Sequence, residues 1–294
     1  MGLSLTTVEA LLGIWKDGHF NGKKSILELG SQELHLTLDN FERAVEAYQV
    51  PGFEREAFEP WEWENRGRCV YADKFYSILG LSEYMCFDMN AENNAIPHDL
   101  NFPFKEKQHL GKYDVVTDFG CAEHVFNVSE AYKTMHATCT ENGLLIYCQQ
   151  VKNTNGYYNF DTAFYEDLAA ANNYKIHFTA HLVNAPASMK DSHRFSWMLP
   201  LSTEILDILD HSKVETISVF YVMEKTSDNE FILPYQGQYM STQYGNDGYD
   251  VAAMMNYKCP SRSYVPVIDR YSNVSSKVFK KTCKAYFKKK FLKK

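Results

Sequence analysis

No stretch of these 294 residues is apolar for long enough to cross a bilayer as a helix. No internal repeat is visible. No Cys-x-x-Cys occurs either: the seven cysteines (Cys69, Cys86, Cys121, Cys139, Cys148, Cys259, Cys283) are odd in number and scattered. That pattern argues against a disulfide framework and for reduced thiols; with no secretory leader, the expected location is cytoplasmic. Positive charge is scarce except at one end. Nine of the 30 Lys+Arg fall in residues 277–294, which hold no acid, so 37 Asp+Glu face the remaining 21 elsewhere. So acidic a body argues against a broad nucleic-acid surface. The tail, with Phe279, Cys283, Tyr286 and Phe287 at helical spacing, reads as a basic amphipathic helix suited to an anionic membrane or an acidic protein partner. A peripheral membrane contact through it is a second expectation for location.

The length suits one large domain with appendages, ample for a sizeable core. Aromatics are plentiful, at 15% of the chain with 20 Tyr and 19 Phe, and core packing explains most of them. The chain is organised around Lys24-Ser25-Ile26-Leu27-Glu28-Leu29-Gly30-Ser31, a short apolar run that ends in an acid and then a glycine. Such a run suits a strand buried on both faces. Gly30 lets the backbone turn sharply and lets a ligand come close. Ligands of open parallel sheets bind beyond the carboxyl ends of the strands, where Glu28 and Gly30 would sit.

Similar runs recur. Tyr84 to Asp88 and Tyr113 to Gly120 each carry an acid at the end of an apolar segment, and Asn142 to Cys148 is a fourth run entered through a glycine turn. Helices are expected at Thr7–Lys16, Leu38–Tyr48, Asp73–Leu79, Ala122–Thr138 and Asp161–Asn172. Lys175–Ala180 and Ile217–Met223 read as two further strands, with loop and helix filling 181–213. Residues 53–71, rich in aromatic and charged side chains, read as an insertion.

The order of these strands and their ends resembles the class I S-adenosylmethionine-dependent methyltransferases over about Leu12 to Lys225. Asp99-Leu100-Asn101-Phe102-Pro103-Phe104, Tyr113 to Gly120 and Glu123-His124-Val125-Phe126-Asn127 look like one branch of that family. The resemblance implies an α/β, doubly wound fold with a mostly parallel seven-stranded sheet over residues 1–225. An irregular extension (226–275) and the Lys-rich tail (276–294) would follow. It implies S-adenosyl-L-methionine as cofactor, with Glu28, Gly30, Ser31 and Gln32 at the amino acid end of the donor. Asp88 would accept the ribose hydroxyls through charge-assisted hydrogen bonds. Asp99 and Leu100 would lie by the adenine, and Asp118 near the mouth under the donor. One departure is plain: the family's acid-x-Gly-x-Gly-x-Gly loop has Gln32 and Leu34 at its later glycine positions here, which narrows the space and leaves a fold that has lost turnover as an alternative.

His124 is the candidate base, since histidine exchanges protons near neutral pH; a helix-end Glu–His pair holding the loop is the plain alternative. Tyr157, Tyr158 and Asn159, with His193 and Arg194 across from them, are candidates to line the pocket of a small-molecule or sugar acceptor. No metal site is expected.

Overall fold

The computed structural model describes residues 2–59, 61, 70–152, 155–185, 196–201 and 214–236. The expectations for His193, Arg194, residues 60 and 62–69 of the 53–71 insertion, residues 237–275 and the Lys-rich tail lie outside the described residues.

The chain opens with β1 (Gly2–Leu3) and α1 (Leu5–Lys16). Ser4 caps α1 by accepting a hydrogen bond from the Thr7 backbone N–H, so the helix starts two residues before the apolar periodicity does. Then come β2 (Ser25–Leu29), β3 (Glu33–Leu34) and α2 (Leu38–Tyr48). Thr37 caps α2, which turns Phe41, Val45 and Tyr48 into the core; Gln49, in the left-handed region at φ 60°, ends it. Next are α3 (Asp73–Ile78), β4 (Glu83–Phe87), β5 (Tyr113–Phe119), α4 (Val128–Thr138), β6 (Cys139–Lys152), α5 (Thr162–Ala171), β7 (Lys175–Asn184), β8 (Trp197–Leu199) and β9 (Thr216–Glu224).

Seven strands form one sheet in the order β4-β2-β5-β6-β9-β7-β8. β2 pairs in parallel with β4 on one side and β5 on the other, and β5 pairs in parallel with β6. β9 runs antiparallel between β6 and β7, as the resemblance implies for the last two strands, and β8 is antiparallel to β7. One core cluster joins α1, α2 and α3 to one sheet face; a second joins α4 and α5 to the other. Helices on both faces explain why every residue of β2 is buried. The fold is therefore the doubly wound, mostly parallel seven-stranded α/β arrangement. The chain leaves β2 for β4 and later returns to the far side of β2 for β5. Connections on opposite sides open a crevice at the carboxyl ends of β2 and β5.

Three expectations are corrected. The helix expected over Ala122–Thr138 begins only at Val128; Ala122–His124 is a single 3-10 turn, because the Cys121 and Ala122 N–H groups point back at Asp118. Residues 181–184 continue β7, and Trp197–Leu199 adds an edge strand where loop and helix were expected. Leu34 does not project into a ligand loop. It is fully buried in β3, which pairs with β1 against the core, so the chain beyond Ser31 is a strand rather than a glycine-rich turn. The pairing also needs Gly2: a Cβ there would meet the His35 ring at 2.2 Å.

Residues 226–236 carry no regular structure, yet they are tied down. His136 Nε2 lies 2.7 Å from the Asn229 carbonyl, and Asn172 bonds Ile232 through both ends of its amide. Phe231 packs against the second cluster.

Candidate functional site

Three parallel strands bring their carboxyl ends level. Leu29 of β2 pairs with Phe87 of β4 on one side and with Asp118 of β5 on the other. Gly30 follows at φ +76°, a left-handed conformation that glycine adopts without steric cost, and its N–H donates to the Phe87 carbonyl at 2.8 Å. The next N–H, of Ser31, donates to Asp88 Oδ2 at 2.9 Å, while Asp88 Oδ1 accepts from Asn90 N–H at 3.1 Å. Gly30, Ser31 and Asp88 therefore form one unit. A carboxylate accepts about four hydrogen bonds, so partly exposed Asp88 retains capacity for two hydroxyls.

Glu28 takes a different place from the one expected. Its carboxylate does not reach the donor side of the loop. It is fully buried, accepting from Tyr76 Oη at 2.6 Å, Tyr84 Oη at 2.7 Å and the Gln32 N–H at 3.2 Å. Burial pushes its pKa up to about 7 despite the three donors. Glu28 holds the loop from beneath. Gln32 folds back to donate from Nε2 to the Leu29 carbonyl at 3.2 Å, and its Oε1 is buried without a hydrogen bond, while Ser31 Oγ lies by the Cys86 thiol. That acceptor, a left-handed glycine and a half-open carboxylate suit a polar ligand seated on this loop. They fit the amino acid and ribose ends of S-adenosylmethionine.

The residues expected by the adenine come from the next loop. Beside β4, a one-residue parallel bridge, Phe87 to Ile96, extends the edge of the sheet. Three residues on, Asp99 Oδ1 accepts from the Asn101 N–H and Nδ2, which hold its pKa below the usual carboxylate range. Leu100 is buried in the second core cluster, which also holds Phe87 and Val125. Asn101 in turn accepts from the Asn127 N–H at 2.9 Å and from its Nδ2 at 3.1 Å. The loops after β4 and β5 are thus bolted to each other. Asn101 and Asn127 stood inside the quoted motifs, but nothing in the sequence paired them.

Asp118 is fully buried. One oxygen accepts from Cys121 and Ala122 N–H, each at 3.0 Å. Burial raises its pKa to about 6; the two N–H groups and the nearby Gln149 amide pull the other way. Its second oxygen and both ends of the Gln149 amide are buried without a hydrogen bond of ordinary geometry. Gln149 drew no attention in the sequence, because a glutamine near the end of a strand carries no motif.

His124 is exposed, with Nε2 3.4 Å from Glu123 Oε1, and the desolvation it does undergo lowers its pKa. It is therefore neutral at pH 7 and able to accept a proton. The Glu123 carbonyl accepts from the N–H groups of Tyr157 at 2.7 Å and Tyr158 at 3.3 Å. Gly156 makes that approach feasible, since a Cβ there would sit 2.6 Å from the same carbonyl. Tyr158 Oη reaches the Phe126 carbonyl at 2.7 Å. Tyr157, Tyr158 and Asn159 are therefore brought beside the Glu123–His124 turn.

No family model and no curated protein matches the sequence. Solved structures that align with it include a candidate methyltransferase from Bacillus halodurans C-125, at 10% identity, 74% of this chain, 99% of that one and a TM-score of 0.41. Burkholderia thailandensis 1,6-didemethyltoxoflavin-N1-methyltransferase, with bound 1,6-didemethyltoxoflavin and S-adenosylhomocysteine, aligns at 10% identity, 74% and 80% coverage and 0.38. A SAM-dependent methyltransferase from Archaeoglobus fulgidus gives 8% identity, 75% and 94% coverage and 0.38. Likenesses so distant carry nothing about activity. Strand order, the reversed β9 and the level carboxyl edge of β2, β4 and β5 define the fold, a doubly wound α/β domain with an antiparallel end to its sheet.

Proposed function

We propose that the chain binds S-adenosyl-L-methionine at this edge and passes a methyl group to an oxygen or nitrogen of a small-molecule or sugar acceptor. The observation that carries the reading is the Gly30–Ser31–Asp88 unit, in which a left-handed glycine is tied by its neighbour's N–H to an acid on the adjacent strand. Fold alone does not establish function, so the weight rests on these side chains.

Each residue has a distinct task in this reading. Asp88 accepts two ribose hydroxyls. Ser31 Oγ and Gln32 Oε1 meet the amino acid end, and Glu28 keeps the loop in place from below. Asp99 and Leu100 bound the adenine, with Leu100 supplying an apolar floor. The bound donor supplies an electrophilic methyl on a sulfonium. The chain contributes placement, which can account for much of the rate in a two-substrate transfer. His124, held neutral, accepts the acceptor's proton.

Isothermal titration with S-adenosylhomocysteine tests the reading. The wild-type chain should bind, and Asp88→Ala should bind about 10- to 100-fold more weakly, the size of a lost hydrogen-bond pair to a charged group. Absent binding to the wild type, or equal binding to both, refutes it.

A further inference from the structure

Four of the large apolar side chains that stand out in solvent lie on loops at the carboxyl edge of the sheet: Met89, Phe102, Phe126 and Tyr157. Two of them form a fixed corner. Phe126, 74% exposed, and Tyr157, 70% exposed, meet edge to face, with ring centroids 6.1 Å apart and planes at 89°. Exposed aromatic rings on loops ordinarily move. These are held from behind by backbone: Tyr157 N–H to the Glu123 carbonyl, Tyr158 Oη to the Phe126 carbonyl, and Gly156 pressed on Glu123. At the foot of the corner, Glu123 lies near enough to Asp118 to affect its ionisation. There the second Asp118 oxygen and the Gln149 amide are buried without hydrogen bonds of ordinary geometry. An apolar right angle beside the Glu123–His124 turn fits a flat molecule with a polar edge. Carboxylates at Asp88, Asp118 and Glu123 make the surroundings hostile to an anion.

We propose that the acceptor is an uncharged planar ring bearing a hydroxyl or ring N–H, seated on the Phe126–Tyr157 corner with its polar edge toward the Glu123–His124 turn. This rests on the methyl-donor reading above and narrows it, since an aliphatic sugar or a ring carboxylate does not match the corner.

The test uses the full-length chain saturated with S-adenosylhomocysteine and three probes: 2-naphthol, 2-naphthoate and D-glucose, each followed by calorimetry. 2-Naphthol should bind at least tenfold more tightly than the other two. Phe126→Ala and Tyr157→Ala should each weaken it three- to tenfold and leave S-adenosylhomocysteine affinity unchanged, a control that both surface positions permit. Glucose or naphthoate binding as well as naphthol overturns the proposal, as does naphthol binding that ignores both substitutions. Concentration-dependent self-association in sedimentation velocity that either alanine abolishes also overturns it, because the corner would then be a protein interface. Donor binding with no ring binding defeats the acceptor proposal alone; no donor binding defeats the underlying reading and this proposal with it.

Discussion

Glu28 shows how one carboxylate can be placed by its neighbours rather than by its motif. Its raised pKa of about 7 means that the folded chain holds a proton there which the unfolded chain releases near the ordinary value of 4.5. Stability from this group is therefore fully present below about pH 4.5 and is lost as pH rises through 7. The loss is on the order of 3 kcal/mol. Asp118 and Glu9, with pKa values raised to about 6 and about 8 by burial, act in the same direction. Glu28→Gln removes only the first contribution. Urea unfolding at pH 5 and pH 8 should show the wild type losing more stability than Glu28→Gln across that interval; equal losses would mean that the carboxylate stays charged in its tyrosine cage. At Gly156 the constraint is steric. Gly156→Ala places a carbon 2.6 Å from backbone oxygen that has little room to yield, so it should cost about 1–3 kcal/mol in unfolding free energy.

At the scale of elements, the site is made by loops fastened to each other as much as by strands. The Asn101–Asn127 pair joins the loop after β4 to the loop after β5, and both its bonds originate on Asn127. Asn101→Ala removes the acceptor side chain of one bond and one of the donors to Asp99. Hydrogen exchange over 98–104 and 122–128 should rise together in that variant, with an expected stability loss of about 1 kcal/mol. Exchange rising in one loop only would show that the two are not coupled. The helix limits at Leu38–Tyr48 were legible because cap and apolar spacing agree there. The start of α4 was not. Ala122 to Asn127 reads as helix in composition, and it is the buried Asp118 carboxylate, several residues earlier, that bends the backbone into a single turn.

At the scale of the whole molecule, the described end of the chain closes the second core. Lys225 is buried with its ammonium on the His136 and Cys139 carbonyls and on Asp228, and Asn172 and His136 take partners from 229–232. A chain ending at Gln236 should therefore be more stable than one ending at Lys225 by about 2–4 kcal/mol, read from thermal or urea unfolding. Equal stabilities would show that 226–236 merely lies on the surface.

The sequence by itself determined six of the sheet's seven strands and where their acids fall. Apolar runs of five to seven residues that end in Gly30, Asp88 and Asp118 are local patterns, and local patterns survive without knowledge of the partner strand. Tertiary structure alone decided which way those acids face. Tyr76 and Tyr84 lie 48 and 56 residues beyond Glu28, and only sheet pairing brings them around it and turns it away from the crevice. The same holds for Leu34, drawn into the core by pairing with the first residues of the chain, and for Gln149, whose burial beside Asp118 depends on the register between β5 and β6. A side chain's chemistry is written in its residue type. The burial and donors that set its charge and direction come from segments far away in the chain, and only the folded chain brings them together.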